Sequence, residues 1–541
     1  MLGSRNAAAL LFAFCLLPAT AVHAQVPPPA PASPPPASPA PAPSASASAQ
    51  PAATPTQPPI GVEPAAAQVP VGSTATIHLT SVLGTITLRV ADTAIADAVV
   101  DQPSQTVTIS GKAPGATSIV VTDQRGLSAT IPVRVAFNAG SIADAASIRI
   151  TGDPASAAFV RTTAAEVAGQ LAQPRQGAQV VVSTDQISLS QPLAQDDVTQ
   201  VNVPVLLQGE QYFTVEGTTH VRVENLAAPK IVPSFLMVSD YPERLEQNGE
   251  LFSSDIQRAQ PSRFLYFHYN PPGEPDRRIV LRAENHSIEP AIVQFISGAG
   301  GPGVNEMAVG HDATRRFLTH LVQNEGRIVV IPGNSSVNVV EQPMPAKAIV
   351  CNVLQLRVLN GSTVHLTLFA QNASDSPDEA LANATLLEGG HPHARGVYDI
   401  PEFHYSRLWN VQDPYLELSV GHIPLPNKLN GLALSGDYGV LQSFVIKVQN
   451  PTGQPQPIAI YENPRGGRAT GTYLIDGTLI QSHQVPPFSR YKVRQYVVPA
   501  RGFVRVTIQT IPDSGSSYPL HLEFAPDDGS VAPGAPGSPI Y

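Results

Sequence analysis

The stretch Arg263–Gly298, RFLYFHYNPPGEPDRRIVLRAENHSIEPAIVQFISG, decides the fold class. It alternates apolar and polar residues, turns at Pro271-Pro272-Gly273, alternates again, and turns at His286–Pro290 before a third apolar run. Alternation with period two belongs to strands, and prolines with Gly and Asn between the runs belong to turns. Phe264, Tyr266 and His268 share one face of the first run and Leu265, Phe267 and Tyr269 the other, so this strand is expected between two layers. A related phrase returns at Ser443–Tyr461, SFVIKVQNPTGQPQPIAIY: strand, Asn, polar turn with Pro, strand. This is the pattern of an antiparallel β-sandwich, and the class expected is mainly β.

Working outward, the chain of 541 residues is too long for one core. Its 55 prolines and only 14% charged residues suit short strands and turns rather than long helices. The formal net charge of −10, without a Lys/Arg stripe, excludes a nucleic-acid partner of the phosphate-neutralising kind. Residues 1–24 read as a signal peptide: Arg5, the apolar run Ala7–Leu17, and Val22-His23-Ala24 before Gln25. Nothing later offers about 20 apolar residues, so no transmembrane segment is expected in the mature chain. Cys15 lacks the small neighbours of a lipoprotein site. Cys351 is then the single cysteine left, which rules out an internal disulfide and a Cys-based zinc site. An exported chain of this kind fits a bacterial envelope, whether periplasmic, cell-surface or extracellular. The sequons at Asn285, Asn334, Asn360, Asn372 and Asn383 are then turn chemistry.

Residues 25–59 form a Pro/Ala/Ser-rich linker, extended at roughly 3 Å per residue. Residues 60–138 carry five alternating runs at regular spacing, an Ig-like sandwich. Residues 139–230 predict a small α+β unit, its helix capped by Asp153 with Pro154 at the first helical position and ended by Pro174. Residues 231–526 predict a large β-sandwich domain in two halves, with a helix starting at Asp312 and a loose insertion at 371–430. The tail 527–541, Pro/Gly-rich, is expected to be disordered.

Two resemblances attach to these units. The phrases VADTAIADAVV (Val90–Val100) and ISGKAPGATSIVVTDQRG (Ile109–Gly126) resemble bacterial Ig-like repeats and the N-terminal domain of pilus and secretin assembly proteins. That implies an envelope assembly or adhesion setting and no catalytic residue. PERLEQNGELF (Pro242–Phe252), RFLYFHYN, LRAENHSIEPAIV, GDYGVLQSFVIKVQNP (Gly436–Pro451) and SSYPLHL (Ser516–Leu522) are similar to a β-rich domain family of unknown function known mainly from cyanobacteria. It implies a fold and no activity.

Chemistry is sparse. Gly298, Gly300 and Gly303 match G-x-G-x-x-G in spacing, but Pro302 removes a donor and the flanks read as antiparallel β, so a flexible surface loop is the expectation. His391, His393 and His404, near Asp399, Glu402 and Asp413, are the candidate metal ligands, weighed against ordinary loop histidines. Trp409, Tyr405 and Tyr415 are the candidate glycan-stacking residues, weighed against a plug for their own loop. Buried His268 is read as a hydrogen-bonded core residue. There is no G-x-S-x-G elbow and no S-x-x-K in supporting context, so neither a catalytic set nor a cofactor is expected. The function expected is non-enzymatic: a structural, adhesive or surface-apparatus assembly role, with envelope or surface proteins as partners. The alternative is a carbohydrate-binding or carbohydrate-active envelope protein, with cell-wall glycan at the 371–430 stretch.

Overall fold

A computed structural model describes residues 58–382, 384–390 and 392–530. The stretch expected to be a signal peptide, nearly all of the expected linker, Asn383, His391 and residues 531–541 lie outside the described residues. Of the described residues 53% are strand and 9% helix, mainly β as the alternation predicts.

Residues 60–138 form two facing sheets. One runs Gly61–Glu63, Thr74–Thr80, Thr106–Gly111, Ala96–Asp101; the other centres on Gly115–Thr122 and Ser128–Asn138. Every second residue points inward, so Ile77, Val107, Ile109, Ile119, Val121 and Ile131 are fully buried between the sheets. Tyr212–Phe213, from the next part of the chain, adds to the end of Ser128–Asn138 in parallel.

A ten-stranded mixed sheet then forms the body, in the order Gln179–Val182, Val198–Gln208, Val215–Asn225, Ala145–Thr151, Gly326–Ile331, Ala291–Gly303, Ile349–Asn360, Ser262–Tyr269, Phe235–Ser239, Arg395–Tyr398. It runs without a break through the position where the small α+β unit was expected to end, because Ala145–Thr151 pairs with Gly326–Ile331. Ser262–Tyr269 is buried on both faces. Phe264 and Tyr266 meet a four-stranded sheet (Gly249–Gln257, Thr363–Asn372, Arg277–Asn285, Ser335–Met344), while Leu265 and Phe267 lie in a second core with Phe317 of the helix Glu306–Gln323.

The two longer helices start elsewhere than the sequence suggests. Helix α1, Ala157–Leu171, is capped by Ser156, whose hydroxyl accepts from the Phe159 amide, and not by Asp153. Helix α2, Glu306–Gln323, is capped by Asn305 and ends on Asn324 at φ 55°, so Asp312 is an interior residue paired with Arg316 at 2.8 Å. The glycine run before it is not a surface loop. Gly298 and Gly300 lie within the strand Ala291–Gly303, and a Cβ on them would stand 2.3 Å from the Phe317 nitrogen and 2.1 Å from the Val309 carbonyl. Their missing side chains let α2 lie directly on the sheet, burying Phe317, a side chain worth about 2–3 kcal/mol when fully removed from water.

The stretch 371–430 is not one loose insertion. Arg395–Tyr398 closes the ten-stranded sheet, and Glu402–Asn410 and Leu416–Val420 open a separate C-terminal sandwich. That sandwich faces Glu402–Asn410, Leu441–Gln449, Phe503–Thr510, Ala469–Ile475 and Thr478–Val485 against Leu416–Val420, Leu520–Pro526, Gln456–Pro464 and Tyr491–Val498. Its core holds Trp409, Phe444, Ile446, Ile508 and Phe524.

The phrase and its echo therefore frame two different sandwiches, and they do so with one device. The Asn285 amide donates to the carbonyls of Glu289 (2.8 Å), Ile331 (3.2 Å) and Pro332 (3.2 Å), and its oxygen accepts from the Ser287 amide (3.1 Å) and hydroxyl (2.6 Å). Asn450 donates to Gln454 (2.8 Å), Val498 (3.1 Å) and Pro499 (3.2 Å), and accepts from the Thr452 amide (2.9 Å) and hydroxyl (2.7 Å). Both asparagines are fully buried, which leaves Asn285 to turn chemistry. Each clasp joins an N-x-[ST]-x-[EQ]-P turn to an apolar-Pro-x turn that closes on a left-handed residue, Asn334 or Arg501.

Candidate functional site

Because Phe235–Ser239 pairs antiparallel with Arg395–Tyr398, with Ser239 opposite Arg395, the residues just beyond the two strand ends are brought together. His393 sits between two acids there. Its Nδ1 is 3.3 Å from Asp240 Oδ2 and its Nε2 is 3.2 Å from Glu243 Oε2. The Asp240 amide donates to the Ala394 carbonyl at 3.0 Å, and the Gly389 amide to the Tyr241 hydroxyl at 3.0 Å. Arg395 lies over the Tyr241 ring at 4.9 Å and donates to the Leu387 carbonyl at 2.7 Å.

Burial pushes the Asp240 carboxyl up to about 6, against the opposing pull of His393. The hydrogen bond to Asp240 raises the His393 imidazole above its ordinary value, and burial opposes it. His268 stands behind this turn, its Nδ1 3.0 Å from the Pro242 carbonyl and its Nε2 3.2 Å from the Ser239 hydroxyl. Full burial takes its imidazole down to about 4, so it is neutral, donating from Nδ1 and accepting at Nε2. That is the satisfied core histidine the alternation implies.

Behind the N-terminal half of α2 lies a second polar group, built on a buried His–Asp pair. His311 Nδ1 is 2.6 Å from Asp513 Oδ2, which also accepts from the hydroxyls of Thr470 (2.8 Å) and Thr472 (3.3 Å). The Gln481 amide meets His311 Nε2 at 2.5 Å, and the Thr470 hydroxyl pairs with Ser516 at 2.9 Å. A His–Asp pair beside hydroxyls has the parts of a nucleophilic site, but His311 is 1% exposed and its Nε2 is taken by Gln481, so no hydroxyl is offered to a substrate. The network docks α2 on the C-terminal sandwich. Gly310 makes this approach feasible, since a Cβ there would stand 1.8 Å from the Ser514 carbonyl. Arg263, the first residue of the deciding stretch, makes a second tie: fully buried, it donates to the Pro401 carbonyl (2.8 Å), Gln355 (3.1 Å) and Glu402 (2.8 Å). Alternation did not single out His311, Asp513 or Arg263; the one signal was a charged residue placed in an otherwise apolar period.

The other candidates disperse. His404 lies on the edge strand Glu402–Asn410, 3.5 Å from Glu402, and His391 is outside the described residues. Among the described residues no three His, Cys, Asp or Glu side chains are placed to hold a metal ion. Trp409 is 2% exposed and meets Phe524 edge-on, Tyr405 stacks on Phe444 at 5.1 Å, and only Tyr415, 54% exposed, faces solvent. Cys351 is buried, and burial pushes its thiol up to about 12, so it stays protonated and unreactive. Among the described residues no helix is long and apolar enough to cross a membrane.

Residues 63–136 match the family described as pilus formation protein N terminal region. The similarity to a mainly cyanobacterial family over residues 242–522 is not shown by any comparison. No curated protein matches the chain. Among solved structures, the S-layer protein SbsC domains 4 and 5 align at 23% identity over 15% of this chain and 46% of that one, with a TM-score of 0.13. Thus the chain spans less than half of that fragment. The tandem Ig repeats of Dlar align at 12% identity over 31% and 98%, with a TM-score of 0.13. A SusE-like surface-located polysaccharide-binding protein from the Bacteroides thetaiotaomicron heparin utilisation locus aligns at 11% identity over 39% and 42%, with a TM-score of 0.14. At such scores these overlaps carry no functional argument.

Proposed function

We propose that this protein is a non-enzymatic, exported component of a bacterial envelope that serves the assembly of a pilus- or secretin-type surface apparatus. The observation that carries this reading is the match of residues 63–136 to the pilus formation N-terminal region. The rest of the molecule is consistent with a mount for that module. Tyr212–Phe213 extends its sheet, Arg134 lies 5.3 Å over Phe213, and Arg175 lies 4.4 Å over Phe137. The groups with catalytic potential, His311, Asp513 and Cys351, are all buried. The glycan alternative has less support, because the one tryptophan of its proposed platform is inside the C-terminal core.

The test is removal of residues 60–138 from the chromosomal copy, with surface appendages counted by electron microscopy and the protein cross-linked in intact cells. Loss of appendages, and of the cross-links to an envelope component, is expected while the remaining chain still melts cooperatively. Unchanged appendages together with a free, unpartnered protein would sink the assembly reading.

A further inference from the structure

The geometry points to a proton-operated latch: His393, held between Asp240 and Glu243, fastens the terminal strand Arg395–Tyr398 to the ten-stranded sheet and lets it go when the imidazole or Asp240 loses its charge. Both nitrogens of His393 face carboxylate oxygens, at 3.3 and 3.2 Å. The Nδ1 contact is a hydrogen bond and the Nε2 contact an ion pair, and both are favourable together only when both nitrogens carry protons, because a neutral imidazole would set a lone pair against one of the acids. The clamp is therefore built for imidazolium between two carboxylates, a charge-assisted arrangement roughly twice as strong as a neutral one.

The strand it fastens is short. Arg395–Tyr398 has four residues, pairs with Phe235–Ser239 on one side only, and forms the outer edge of the sheet. His393 lies two residues ahead of it, where fraying of an edge strand starts. His393 and Asp240 keep 39% and 26% of their side-chain surface, so protons reach them from solvent.

The surrounding groups leave the switching to these two. On the latch segment, Arg395 pairs with Glu388 and donates to the Tyr241 carbonyl. On the turn, Arg244 lies over Tyr269. From α2, the Glu306 carboxyl is raised by burial and by Glu243. Behind the turn His268 is neutral, and Cys351 is a protonated thiol. Tyr398 and Tyr438 are both pushed up to about 12, chiefly by burial, and stay protonated. At the far end of the strand Lys428 pairs with Asp399 at 2.8 Å. Asp240 is raised to about 6 and His393 is raised above its usual value, so the imidazolium–carboxylate state occupies the window between them. Acid below about 6 neutralises Asp240; base above the raised imidazole value neutralises His393.

Hydrogen–deuterium exchange of the full chain tests this, read on peptides covering residues 394–400 and corrected for the intrinsic pH dependence of exchange. Protection is expected to peak near neutrality and to fall about tenfold, the factor of one pKa unit, toward pH 5 and toward pH 9. His393→Gln should remove the peak. Asp240→Asn, which fixes that side chain in its uncharged form, should hold protection near the wild-type acid level across the range. Peptides of Ser262–Tyr269 serve as the internal reference and should not change. A flat wild-type profile, or the same peak in His393→Gln, overturns the latch. Should either variant fail to fold, the His393 pKa in the wild-type chain, from NMR of labelled histidine, decides: a value at or below that of free imidazole overturns it.

Discussion

The sandwich framed by Arg263–Gly298 and the one framed by its echo share a clasp but carry opposite polar loads. In the first, the buried charges are mostly arginines, each donating to several acceptors even where one nitrogen, as Arg263 Nε, is left over. Arg277, for example, donates to Asn248 (3.1 Å), the Leu245 carbonyl (2.7 Å), Asn270 (2.6 Å) and Glu274 (2.8 Å). In the second, Glu462 is fully buried beside Tyr473 and Ser482, and neither of its oxygens finds a hydrogen bond of good geometry. Asp513 Oδ1 and the Tyr473 hydroxyl are also unpartnered. Burial pushes the Glu462 carboxyl up to about 7. The shared device fixes where strands end; the unshared charges decide how each core responds to pH.

The strongest way to break the comparison is to remove a clasp. Asn450→Ala removes three donated and two accepted hydrogen bonds, each with a net worth of about 1 kcal/mol, so a loss of about 4 kcal/mol is expected. Trp409 is the one tryptophan of the chain and lies in the second core, so its fluorescence in a urea titration reports that sandwich. Asn285→Ala, in the other sandwich, should also move the Trp409 transition, because α2 is shared: Phe317 belongs to the first side and His311 to the second. If only Asn450→Ala moves it, the two sandwiches unfold independently and the His311–Asp513 junction couples them weakly.

The next largest effect isolates the unshared charge. With a folded pKa of about 7 against an ordinary carboxyl near 4.5, Glu462 favours folding while it is protonated. That contribution is full below about 4.5 and is lost as pH rises through 7. Glu462→Gln should therefore be more stable than wild type at pH 8, by on the order of 3 kcal/mol, and nearly equal to it at pH 5. A gap that is the same at both values would place the Glu462 carboxyl outside this account.

The frame of the molecule was legible because alternation reports layers directly. Phe264 and Tyr266 part from Leu265 and Phe267 as the period requires, and the two Asn turns announce themselves by N-x-[ST]-x-[EQ]-P. Helix starts were misread because Asp153-Pro154 and Asp312 look like caps, while the true caps, Ser156 and Asn305, are chosen by where the apolar faces of α1 and α2 meet the sheet. Glycines suggest loops, yet at Gly298 and Gly300 the lack of a side chain serves close packing. The separation of the two sandwiches was hidden for a related reason. The edge strand Glu402–Asn410 is half exposed, so its pattern reads as loose chain. Of the histidines, His393 was legible as a residue but not as a clamp, since Asp240 and Glu243 lie some 150 positions earlier.

The smallest effect discriminates most finely between the two clasps. Ser287 and Thr452 each point a hydroxyl at the asparagine oxygen, at 2.6 and 2.7 Å, so truncation to Ala should cost about 1 kcal/mol in either sandwich. The Thr452 hydroxyl has a second acceptor, the Gln454 carbonyl at 2.9 Å, which no contact of Ser287 matches. Its proton can therefore go to either oxygen, and the Thr452 branch also restricts the side chain before folding. Thr452→Ser keeps the hydroxyl and both acceptors while removing the branch, so it should retain most of the stability that Thr452→Ala loses. If Thr452→Ser is instead as damaging as Thr452→Ala, the methyl group rather than the hydroxyl holds the second clasp. The two turns would then be alike in sequence pattern and unlike in what secures them.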